Sequence, residues 1–107
     1  MNNTSGIVQT NALFPAPGEA DIDVTLSNEL INNYAQINSA GNMNIQANSI
    51  SNYNGAINAG INLTVKGNSS INNAYGRINS NGTTQVNTPL LSNSYGKITG
   101  GTVIINK

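Results

Sequence analysis

Apolar residues in this chain fall into short alternating runs. Met43-Asn44-Ile45 and Leu63-Thr64-Val65 alternate apolar with polar residues, and Asn, Gly and Ser interrupt each such run. Alternation of period two over so short a span predicts strands, because successive side chains of an extended chain point to opposite faces. The pattern then returns. Ile37, Ile57, Ile78 and Ile98 recur at spacings of 20, 21 and 20 residues, each preceded by a tyrosine: Tyr34, Tyr53, Tyr75 and Tyr95. Ile31, Ile50, Ile71 and Leu91 form a second set, followed two residues later by Asn33, Asn52, Asn73 and Asn93. Leu26, Ile45, Val65, Val86 and Ile105 form a third.

A repeat of this length, with strands joined by turns too short for helices, leaves each strand one natural partner, the equivalent strand of the next unit. The expected fold is therefore all-β, a parallel β-helix (β-solenoid) of about 20 residues per coil and four to five coils, with the Ile37 set and the Leu26 set stacked inward. Equivalent residues of successive coils then lie about 4.8 Å apart. Asn33, Asn52, Asn73 and Asn93 are expected to form a side-chain amide ladder, and the four tyrosines to stack along one edge. Asn also suits the corners, since it tolerates the left-handed backbone conformation.

Residues 1–22 follow the repeat weakly and read as an irregular N-terminal capping coil ahead of the repeats at 23–107. Val8 and Leu13 keep the five-residue separation of Leu26 and Ile31, but Phe14-Pro15-Ala16-Pro17-Gly18 stands where a corner is expected. Prolines there blunt an exposed strand edge.

Composition narrows the chemistry. Asn (22), Gly (11), Ser (10) and Thr (9) supply nearly half of the 107 residues, which disfavours long helices. With no His and no Cys, zinc, haem, iron–sulfur and thiol chemistry lack their usual ligands and nucleophiles, and no cofactor is expected. Four Lys or Arg cannot build a face that neutralises many phosphates, so nucleic acid is a poor partner. No apolar run is long enough for membrane insertion as a helix. The charges are segregated: Glu19, Asp21, Asp23 and Glu29 come before residue 30, and Lys66, Arg77, Lys97 and Lys107 after residue 65.

Few residues are candidates for a site. Glu19, Asp21 and Asp23 alternate, so an extended segment would set three carboxylates on one face, a weak candidate for Ca²⁺ and more simply a solvated acidic loop. Carbohydrate cleavage needs two opposed carboxyl groups, and from Leu30 to Lys107 there is no acid at all. Ser and Thr are plentiful but have no His to activate them, so the chain is not expected to be an enzyme. The tyrosine edge reads as a corner stack, or as an aromatic strip for a glycan or a receptor. Arg77 and Lys97 align directly before their isoleucines, while Lys66 occupies another place in its unit. Five Asn-x-Ser/Thr sequons, at Asn2, Asn3, Asn62, Asn68 and Asn81, carry no information in so Asn-rich a chain.

The recurring Ile-x-Asn, Tyr-Gly, Ile-Asn-Ser and alternating triplet over residues 23–107 resemble the haemagglutinin repeats of filamentous haemagglutinin and related two-partner secretion exoproteins. That group includes adhesins and contact-dependent growth inhibition effectors of Gram-negative bacteria. The resemblance implies a right-handed β-helix, secreted and displayed at the cell surface as an outer-membrane-attached filament in adhesion and virulence. Family members are far longer and begin with a signal peptide, so this chain is expected to be a stalk fragment beginning at an added Met. The alternative expectation is a binding module for a glycan, a host or target-cell receptor, or calcium. Val103-Ile104-Ile105, β-branched and guarded only by Lys107, makes self-association through the C-terminal edge strand a further expectation.

Overall fold

The computed structural model describes residues 1–4, 6–9 and 21–107, with Ile7–Gln9 as backbone. Leu13, the Phe14–Gly18 corner and Glu19 lie outside the described residues. The described residues contain twelve strands and no helix. They are β1 Ile7–Gln9, β2 Ile22–Thr25, β3 Glu29–Ile31, β4 Gln36–Ser39, β5 Met43–Ser51 and β6 Ala56–Ala59, followed by β7 Leu63–Asn72, β8 Arg77–Ser80, β9 Thr83–Asn87, β10 Leu91–Ser92, β11 Lys97–Thr99 and β12 Thr102–Asn106.

All pairings between these strands are parallel, and each joins a strand to its equivalent one coil away. One sheet has the order β1-β4-β6-β8-β11, the other β12-β9-β7-β5-β2, with β3 also on β5 and β10 also on β7. The protein is a parallel β-solenoid. β5 and β7 are long because each runs through a bend between two walls of its coil. The register shifts there, Ala47 facing Gly67 and Ser49 facing Ser70, so β7 takes up one extra residue at the bend.

The interior is a set of stacked columns. Ile37, Ile57 and Ile78 are fully buried in register, and Ile98 continues the column half-buried at its end. Ile45, Val65 and Val86 form a second buried column. Its first member is Val24, paired with Ile45, where the spacing pointed to Leu26; Leu26 lies two residues further on and packs on the core from there. Leu30, buried, pairs with Ile50, where Ile31 was expected; Ile31 faces Ser51 and is only partly buried. A one-residue slip in a strand carries a side chain from one face to the other, so at Leu30 and Ile31 the difference reverses what points inward, whereas the two-residue difference at Val24 and Leu26 keeps the face. Val8 is in backbone register with Ile37, where the spacing aligns it with Leu26.

Ile57 has a neighbour above and below in its own column and no solvent exposure. Ile57→Ala is expected to lower unfolding free energy by about 2–4 kcal/mol, since stacked coils cannot collapse into the space left. Urea unfolding monitored by far-ultraviolet circular dichroism checks this, and a loss below about 0.5 kcal/mol would contradict the packing just described.

Candidate functional site

Three columns meet at one corner of each coil. The first is an amide ladder. Asn32 Nδ2 donates to Asn52 Oδ1, Asn52 Nδ2 to Asn73 Oδ1, and Asn73 Nδ2 to Asn93 Oδ1, each at 2.8 Å. Asn3 extends it, its Nδ2 donating to Asn32 Oδ1 at 2.8 Å. The ladder thus has five members, with Asn32 where Asn33 was expected. Asn33 sits one place along, its Oδ1 accepting from Ser51 Oγ and from the Tyr53 N–H. Each inner Asn also ties down backbone: Asn52 Nδ2 reaches the Arg77 carbonyl at 3.1 Å and Asn73 Nδ2 the Lys97 carbonyl at 3.2 Å. Asn32, Asn52 and Asn73 are fully buried. Among the described residues no buried side-chain nitrogen or oxygen lacks a partner.

The second column is Tyr34, Asn54, Tyr75 and Tyr95, all in the left-handed region with φ between 51° and 57°. An aromatic residue there is held against its preference at about 1 kcal/mol, whereas Asn accepts the conformation readily. Tyr53 stands one residue before its coil's left-handed position. Its ring nevertheless lies 5.7 Å from Tyr34 and 5.7 Å from Tyr75, edge-on to both at 77°. Tyr75 and Tyr95 stack at 5.2 Å and 13°. The four rings are therefore continuous, but the stack is mixed in geometry, and three of them are exposed, Tyr95 to 83%.

The third column follows two residues later: Gln36, Ala56, Arg77 and Lys97. Between it and the tyrosines runs a groove of about 300 Å³ floored by Ala35, Gly55 and Gly76. Asn54 and Ala56, both short, line it in the second full coil, and Tyr53 is not among its lining residues. Among the described residues no carboxylate lines it. Lys66 is remote from this column, paired in register with Gln46 and Asn87.

Asp21 and Asp23 are engaged differently. Asp21 Oδ1 accepts the Asn42 N–H at 2.8 Å, Asn42 Oδ1 that of Asn62 at 3.2 Å, and Asn62 Oδ1 that of Thr83 at 2.9 Å. Asp23 Oδ1 accepts from Asn44 Nδ2 at 3.4 Å. These carboxylates continue outer polar ladders of the coil. Glu19, the third acid of the calcium candidate, lies outside the described residues, and no group of three metal-binding side chains occurs among the described ones.

Sequence reasoning missed Asn3, Asn32 and the paired columns flanking Gly55 and Gly76. A signal was present: Asn3, Asn32, Asn52, Asn73 and Asn93 each stand five residues before Val8, Ile37, Ile57, Ile78 and Ile98. Comparison with protein-family models, with curated proteins and with solved structures finds no match to this chain.

Proposed function

We propose that the chain is a structural spacer, a slice of the β-solenoid stalk of a secreted, surface-displayed bacterial exoprotein of the filamentous haemagglutinin kind, with no catalytic role of its own. The observation that carries this reading is how the interior polar groups are spent. The buried amides of the Asn ladder bond to the next amide and to backbone, binding coil to coil in one direction. Such an arrangement is quasi-one-dimensional, each coil stabilised by its neighbours, which suits holding two ends a fixed distance apart. The repeat pattern over residues 23–107 supports the family reading and, through it, export from a Gram-negative cell.

Antibody raised against the chain should label intact cells of the source organism, and protease shaving should remove the label. Label appearing only after permeabilisation would overturn surface display.

The same architecture implies self-association. Among the described residues β12 pairs only with β9, on one side, and Val103, Ile104 and Ile105 are 41%, 42% and 44% exposed. In a parallel ladder alternate residues bond to alternate neighbours, so Val103 and Ile105 present unpaired N–H and C=O groups to the open end. Sedimentation over a concentration series should show association of the native chain and its loss in Ile104→Lys. A native chain that stays monomeric to millimolar concentration would contradict this.

A further inference from the structure

The groove at the tyrosine corner carries an inference independent of the spacer role. We propose that it binds a linear polysaccharide of uronic acids laid parallel to the solenoid axis.

The first argument is repetition. Tyr75 with Arg77 and Tyr95 with Lys97 are two copies of one aromatic–cation pair in successive coils, each pair spaced by one glycine in the chain. The coil step of about 4.8 Å is close to the advance of an extended polysaccharide per sugar, so ligand and groove repeat together. The second is chemistry. A pyranose ring offers C–H groups and hydroxyls to the exposed edges of the Tyr75–Tyr95 stack, whose faces meet each other, and a uronate offers a carboxylate suited to Arg and Lys. With no carboxylate lining the groove among the described residues, both cations are available for such a contact. Gln36 and Asn54 add amides that can donate to and accept from ring hydroxyls.

The floor argues against an extended peptide. A peptide lying in a sheet groove gains most from unpaired backbone, and here the floor is already paired. The Ala56, Arg77 and Lys97 N–H groups donate to the Ala35, Gly55 and Gly76 carbonyls, each at 2.9 Å. Finally, the tyrosines hold an unfavourable backbone conformation at a position where Asn54 shows that a relaxed residue fits. Rings kept there against local preference, and exposed, point outward to a partner.

The test is calorimetric titration of the full chain with hexagalacturonate. Native protein should bind saturably. The Tyr75→Asn/Tyr95→Asn double variant, which installs the residue already present at that register, should bind about tenfold more weakly or worse, with an unchanged far-ultraviolet spectrum. Arg77→Gln/Lys97→Gln should lose a similar factor, and what binding remains should depend less on salt. Neutral cellohexaose should bind at least about tenfold more weakly than the uronate. Absence of native binding at millimolar probe, unchanged affinity in either variant, or equal binding of cellohexaose or hexaglutamate would overturn the proposal. Should the Asn variant lose its spectrum, the Arg/Lys variant and the neutral sugar decide alone.

Discussion

Gly76→Ala is expected to abolish the cooperative unfolding transition, or to lower stability by about 4 kcal/mol or more, because the added methyl has nowhere to go. A Cβ at this position would fall against the Asn52 backbone carbonyl oxygen, 2.5 Å from Asn73 Oδ1 and 3.0 Å from Asn52 Nδ2. None of these atoms is free to move. The Asn52 carbonyl accepts the Gly55 N–H, and both side chains are rungs of the ladder. Gly55 and Gly96 meet the same arrangement one coil earlier and one coil later. Ala35 holds the equivalent place in the first full coil, where the turn at Asn3 and Gly6 beneath it has no further coil under it among the described residues. A circular dichroism melt of Gly76→Ala with a native-like midpoint would show that the close approach of the coils is softer than described.

Asn52→Leu is expected to cost about 3–5 kcal/mol even though it keeps the number and branching of the side-chain heavy atoms. The substitution removes the donor to Asn73 Oδ1 and the acceptor for Asn32 Nδ2, and leaves the Arg77 carbonyl without its amide partner. Groups stranded this way are buried, so water cannot replace what is lost. The same change at Asn93, a partly buried rung that closes the ladder, should cost roughly half as much or less. Urea midpoints at constant slope measure both. Equal costs at the two positions would mean that the rungs act independently and the ladder as a whole adds nothing.

The all-β class, the coil length and the Ile37–Ile98 column were legible because isoleucine recurs on an otherwise polar background. The first coil was misread for a specific physical reason. Leu26 and Ile31 are five residues apart, as are Ile45 and Ile50, so they align self-consistently. The true pair, Val24 and Leu30, is six apart, like Val65 and Ile71, since the bend accepts an extra residue without disturbing the walls. Adjacent apolar residues Leu30-Ile31 and adjacent amides Asn32-Asn33 then hide the slip. Counting back from Ile37, where the coil is rigid, recovers Asn32, whereas counting forward through the bend does not. Tyr53 carries the same kind of clue: it precedes its isoleucine by four residues, and the other tyrosines by three. The groove was not legible, because it exists only where two columns meet.

Because the ladder and both sheets bond along the solenoid axis, a pulling force applied between the first and last coils loads those bonds in series. The assembly then yields at its weakest interface first, and that interface sets the threshold force. Each coil that peels away frees about 20 residues, or about 70 Å of contour length, while the coils behind it keep their full complement of bonds. Under tension such a material is stiff up to a threshold and then lengthens in steps, dissipating work at each one.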